Sequence, residues 1–171
     1  GNNSIALDTS ANVYLVWNSF PIPNGGIIVE SLTSDGLNRS GFPVVLSGGE
    51  AGNNNAFSRL VEDVTGNTIV AWTDFLNGSN KNITSLNPVG AVRAGWPNKL
   101  SSTPPALIGD IFALRGIAVN VLGDVYALAE SFPGTSNAAN TTDVWLTSFN
   151  SSGAVRSGYP KILGSEFSDE P

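Results

Sequence analysis

Three arginines stand in one repeated setting. Arg39, Arg93 and Arg156 each lie in the pattern G-x-x-R-x-G-[F/W/Y]-P, which runs from Gly36 to Pro43, from Gly90 to Pro97 and from Gly153 to Pro160. A guanidinium carries five N–H donors in a rigid fork suited to anions and clustered acceptors. One such group per repeat could form a ring of cationic donors for an anionic ligand. The flanking glycines and proline shape a turn, so the same arginines could instead bind backbone carbonyls or an acid of the adjoining repeat. An aromatic follows each of them: Phe42, Trp96 and Tyr159. Trp17 and Trp72 form a second equivalent pair, whose counterpart in the third copy is Ala129. Repeated aromatics either fill the wedge between packed sheets or offer stacking faces to a ligand.

Acids form the next candidate group. Asp8, Asp63 and Asn120 recur at one position, where carboxylate and amide oxygens would suit calcium. The dense alternating acids of a calcium loop are missing, which favours a turn whose Asx side chain bonds local backbone amides. Catalytic patterns are thin. The chain has neither histidine nor cysteine, so no imidazole base, thiol nucleophile, disulfide or Cys-based zinc site can form within it. Lys81, Lys99 and Lys161 lack a Ser-x-x-Lys context. Glu30, Glu62, Asp74, Asp110, Glu130 and Asp143 are available to a two-carboxylate mechanism, but no spacing pairs them. Glu62 reads as a solvated position or a sheet-edge partner of an arginine. These residues lead us to expect a non-enzymatic chain without metal or cofactor.

The elements that position these residues are themselves repeated. Ile5-Ala6-Leu7-Asp8 through Asn12-Val13-Tyr14 matches Leu60-Val61-Glu62-Asp63 through Asn67-Thr68-Ile69, and again Ile117-Ala118-Val119-Asn120 through Asp124-Val125-Tyr126. The Asx positions are 55 and 57 residues apart, whereas the arginines are 54 and 63 apart. The extra six residues point to an insertion in the third repeat, within the Asn/Ser/Thr/Ala stretch 134–142. Each repeat reads as four strands. An apolar run ends at Asp8, Asp63 or Asn120 and turns into Val13–Trp17, Thr68–Trp72 or Val125–Ala129, rich in β-branched and aromatic residues. The third strand is Ile27–Leu32, Asn82–Leu86 or Val144–Phe149, and a short fourth ends at Leu46, Leu100 or Leu163. Gly66 and Gly123 sit in the first turn where positive φ is expected, and Ala11 takes that place in the first copy. No stretch holds a 3.6-residue apolar period, so helix is at most a short turn.

Four strands per repeat of about 55 residues is the signature of β-propeller blades. The run I-A-x-D-x-x-G-N-x-Y, followed by a third strand that ends in a Gly turn, resembles the β-propeller repeats of secreted bacterial proteins. That resemblance covers nearly the whole chain as blade 1 (about 1–51), blade 2 (about 52–108) and blade 3 (about 109–171). It implies an all-β fold of three four-stranded antiparallel blades. The departure lies in blade number, because closed propellers typically have four to eight. Three blades leave two faces in water, so we expect an open set or one completed by oligomerisation.

Composition narrows the partners. The net charge is −6 and only 13% of residues are charged, about half the usual share. Basic residues are scattered, which argues against nucleic acid, and no apolar run approaches a membrane span. Asn-x-Ser/Thr sequons begin at Asn2, Asn38, Asn77, Asn82, Asn140 and Asn150, compatible with a glycosylated extracellular or cell-surface protein. The chain begins at Gly1 and reads as a mature product or a portion of something longer. The main expectation is a non-enzymatic, self-assembling surface, matrix or filament component that forms a homo-oligomer or polymer and serves adhesion. The first alternative is a lectin closing a propeller from several chains, with Phe42, Trp96, Tyr159 and the three arginines at glycan sites. The second is a fragment of a larger propeller hydrolase.

Overall fold

The computed structural model describes residues 3–18, 26–47, 55–74, 80–100, 111–131 and 143–163. The 134–142 insertion and the sequons at Asn2, Asn77 and Asn140 lie outside them. The described residues form three antiparallel four-stranded sheets. The first contains β1 (Ser4–Leu7), β2 (Val13–Asn18), β3 (Ile27–Leu32) and β4 (Val44–Ser47) in that order. The second contains β5 (Asn55–Glu62), β6 (Thr68–Asp74), β7 (Asn80–Leu86) and β8 (Asn98–Lys99). The third contains β9 (Ile111–Val119), β10 (Val125–Ser131), β11 (Asp143–Phe149) and β12 (Lys161–Ile162). These are propeller-type blades, and among the described residues they do not close into a ring. Among the described residues no helix is long and apolar enough to cross a membrane.

Strand order follows from the turns. In blade 1 the Asp8 carboxylate accepts the amides of Ser10 and Asn12 at 2.8 and 2.9 Å. Asp63 does the same for Thr65 and Asn67, and the Asn120 side-chain oxygen for Leu122 and Asp124. The Asx side chain thus satisfies backbone donors in every first hairpin. Ala11 adopts φ 59° where Gly66 and Gly123 have 79° and 78°, so the first copy keeps the turn and carries the strain of a left-handed residue with a Cβ.

The second repeated turn is equally regular. Arg39, Arg93 and Arg156 each donate their backbone N–H to the carbonyl of Ser31, Ser85 or Ser148 at 2.9 Å. Each arginine carbonyl in turn accepts the amide of Phe42, Trp96 or Tyr159, and the following proline is cis in all three copies.

The core sits at the two seams between blades. Alternation in β2 and β3 sends Tyr14, Val16, Ile27 and Val29 inward, where they join Phe42 of blade 1 and Leu60, Val70, Trp72 and Leu86 of blade 2. At the second seam Ile69, Ala71, Ile83, Trp96 and Leu100 meet Leu114, Val125, Ala127, Ala129 and Phe149. Trp96 packs across this seam, its ring 5.6 Å from that of Phe149.

Backbone contact sets the blade spacing. A Cβ placed on Gly41 would lie 2.0 Å from the Val89 carbonyl oxygen of the next blade, and one on Gly95 would lie 1.9 Å from the Ser152 oxygen. Both glycines also have positive φ, 88° and 83°. Only glycine satisfies both demands. Replacing Gly95 with Ala is expected to cost about 3–5 kcal/mol, since backbone must move. Gly66→Ala, with φ 79° but an ordinary 3.6 Å contact to Pro88, is expected to lose only about 1–2 kcal/mol. Urea midpoints of the two variants check the difference, and equal losses would refute the contact's role.

Candidate functional site

The three arginines occupy equivalent backbone positions but different side-chain surroundings. Arg39 donates to the Tyr14 hydroxyl, to Ser31 Oγ at 3.1 Å and to the Pro88 carbonyl of blade 2 at 3.4 Å. Its guanidinium is 4.0 Å from Asp8. Arg156 donates to the Tyr126 hydroxyl at 2.7 Å and pairs with Asp124 at 3.4 Å. Blade 2 has Ile69 where the other blades have Tyr14 and Tyr126. Arg93 there reaches Ser85 Oγ at 3.2 Å, and among the described residues no carboxylate comes within ion-pair distance of it.

The Asp–Asn pair of the first turn explains part of this divergence. Asn12 donates its side-chain amide to Asp8, and Asn67 to Asp63, both at 2.7 Å. In blade 3 the residues are exchanged, and Asn120 donates to Asp124 at 3.1 Å. The exchange moves the carboxylate to position 124, beside Arg156. Asp63 instead spends its oxygens on Thr65, Asn67 and their amides. Burial works to raise the Asp63 carboxyl, but these donors outweigh it and hold the group below its ordinary value.

Arg93 therefore points its charge into a cleft of ≈ 250 Å³ across the second seam. Blade 2 supplies Asp63, Val64, Thr65, Asn67 and Arg93, and blade 3 supplies Val121, Leu122, Gly123 and Ser151. Cationic donors, a carboxylate, an amide and two hydroxyls line it beside three exposed aliphatic side chains. Hydroxyl-bearing ligands with apolar C–H faces match that mixture. Of this lining, Arg93 is legible in the sequence as a possible ligand contact and Asp63 as a repeated Asx turn residue. The rest are ordinary turn residues, and only the stacking of blade 3 on blade 2 brings them together.

The repeated aromatics are placed differently. Phe42, Trp96 and Trp72 are buried in the seams, while Trp17 and Tyr159 are half-buried. None of them lines the cleft. Among the sequons in described residues, Asn38 is exposed and Asn82 lies in β7. Asn150 caps its turn by accepting the amides of Ser152 and Ala154.

Glu62 departs from expectation. It is neither solvated nor ion-paired with an arginine: both carboxyl oxygens are buried at the first seam. Desolvation is the chief reason its pKa rises to about 8. The negative charges of Asp63 and Asp8 add to the rise, and the Thr68 hydroxyl and Arg39 only partly offset it. The equivalent positions hold Leu7 and Val119, so a carboxyl stands where the repeat otherwise has an apolar residue.

No protein-family model and no curated protein sequence matches the chain. Solved structures do. An endo-arabinase from Bacteroides thetaiotaomicron aligns over 95% of this chain with a TM-score of 0.56 at 14% identity. A fucose lectin from Kordia zhangzhouensis, solved with methyl-fucoside, aligns over 94% of this chain and 100% of its own, at 12% identity and a TM-score of 0.46. The chain spans 61% of the length of the endo-arabinase. At such identity the first likeness establishes the fold, a β-propeller type. It also corrects one expectation. An enzyme is built on this architecture, so the expectation of a non-enzymatic chain is withdrawn. The absence of histidine and cysteine removed only the mechanisms that need them, and carboxylate chemistry needs neither.

The buried carboxyl makes stability depend on pH with a definite sign. A carboxyl with a raised folded-state pKa contributes stability that is fully present below its ordinary value of 4.5 and is lost as pH rises through about 8. Asp8 and Asp63 act oppositely: their contribution is present above 3.8 and is lost as pH falls. Glu62→Gln is expected to raise the melting temperature by several degrees above pH 8 and to change little near pH 4. Thermal unfolding across that range checks it, and an equal effect at both ends would refute the assignment.

Proposed function

We propose that this chain is a carbohydrate-binding β-propeller module that takes its ligand in the cleft between blades 2 and 3. Its ring is completed by further blades, and it works at the cell surface or outside the cell. The observation that carries the reading is Arg93, which faces a mixed polar and aliphatic cleft while its counterparts are held by tyrosine hydroxyls and carboxylates. Arg93 supplies donors and the Thr65 and Ser151 hydroxyls add acceptors, while Asp63 and Asn67 are occupied by each other and by their own turn. Val64, Val121 and Leu122 cover the C–H faces of a pyranose or furanose ring. The fold of an endo-arabinase supports carbohydrate as the ligand class. The extracellular placement rests on the sequons. This reading takes precedence over a self-assembling matrix or filament role, because the cleft gives it a ligand site.

The test is a glycan array followed by calorimetry on any hit. Arg93→Ala is expected to weaken binding at least tenfold, corresponding to about 1.4 kcal/mol, with the melting temperature of the free protein little changed. A blank array from folded protein would reject the reading, as would undiminished binding by the variant. Assaying reducing ends after incubation with arabinan tests the hydrolytic alternative, which the likeness to an endo-arabinase raises.

A further inference from the structure

Each seam is built from the same positions, and both outer blades keep those positions without a neighbouring sheet among the described residues. On the trailing side of a blade, the glycine of the R-x-G turn meets a carbonyl of the following blade, as Gly41 meets Val89 and Gly95 meets Ser152. Gly158 is the third copy, with φ 82°, and nothing lies within 4 Å of a Cβ built on it. Leu100 is 2% exposed at the second seam, whereas its counterpart Leu163 is 50% exposed.

The leading side of blade 1 is open in the same way. Leu60 is 5% exposed beneath blade 1, and its counterpart Ile5 is 65% exposed. A Cβ on Gly90 would lie 2.4 Å from the Gly41 oxygen, whereas one on Gly36 meets nothing within 4 Å. One chain therefore carries both halves of a single interface, each free.

We infer that the trailing face of blade 3 docks on the leading face of blade 1 in a second copy of this chain, and that two copies close a six-bladed ring. The interface continues one already present twice in the fold, which is why a copy of the chain is the fitting occupant. Two such contacts related by a two-fold axis satisfy both free faces, and six blades fall within the usual range.

The register of the internal seams specifies the contacts. By equivalence with Gly41 and Val89, Gly158 receives the carbonyl of the partner copy's residue at position 35. Arg156, like Arg39 toward Pro88, reaches the carbonyl at position 34. Ile5 enters between the copies where Leu60 sits inside one. The inference goes beyond the carbohydrate reading, because the Arg93 cleft lies at an internal seam. A dimer that binds no glycan and a monomer that binds one are separate results.

Sedimentation velocity and native mass spectrometry test it. The expected mass is about 35 kDa, twice the 17.7 kDa of one chain. Ile5→Arg and Leu163→Arg each spoil one face at an exposed position, so each variant alone is expected to sediment as a monomer. Mixed in equal amounts they are expected to form one-to-one dimers, because the mixture retains one intact seam. That rescue also demonstrates that both variants are folded. A monomeric wild type would overturn the proposal and leave the faces to a different blade-type sheet. A ladder of masses above the dimer would overturn closure. Dimers of either variant alone, or failure of the mixture to dimerise, would overturn the pairing of these two faces.

Discussion

The fold depends on a close approach of backbone to backbone. At each seam a glycine held at positive φ lets one blade's turn sit directly against a carbonyl of the next. A side chain at that place would hold the sheets apart and open the two apolar clusters to water, and burial of these clusters is the main force joining the blades. The turn motif thus spaces neighbouring sheets as well as reversing the chain. Its arginine adds the polar half of the same job, tying the turn to a serine or tyrosine of its own sheet and, in blade 1, to a carbonyl of the next.

The two seams have diverged within that shared frame. The first carries Tyr14, Arg39 and Glu62, polar groups gathered around a buried carboxyl. The second carries Ile69, Arg93 and Val119 at the same positions. Without the tyrosine hydroxyl the second arginine lines the cleft instead, and Val119 stands where the first seam holds Glu62. The cleft thus opens where the repeat is least faithful to itself. A carboxyl taken out of water at a packed boundary is costly to ionise, which is the cause of the raised Glu62 pKa.

Much of the architecture was legible beforehand because it rests on local rules. Turn residues at fixed offsets and β-branched runs located all the strands within a few residues, and Gly66 and Gly123 announced their positive φ. Glu62 departs from the sequence expectation for a physical reason. A charged residue at a strand end normally faces water, and nothing in its neighbours along the chain says that blade 1 will cover it. The expectation of a non-enzymatic chain fell for a related reason, since missing residue types restrict mechanisms rather than functions.

By itself the sequence determined three sheets, their internal strand order and the spacing of the turns, because each is set by residues close together along the chain. Tertiary structure alone decided which faces of those sheets meet, and with that the burial of Glu62 and the cleft at Arg93. Asp63 and Ser151 are far apart in sequence and meet only because one blade stacks on the next. Stacking is a property of sheet faces, and it depends on the sum of many weak apolar contacts rather than on a motif.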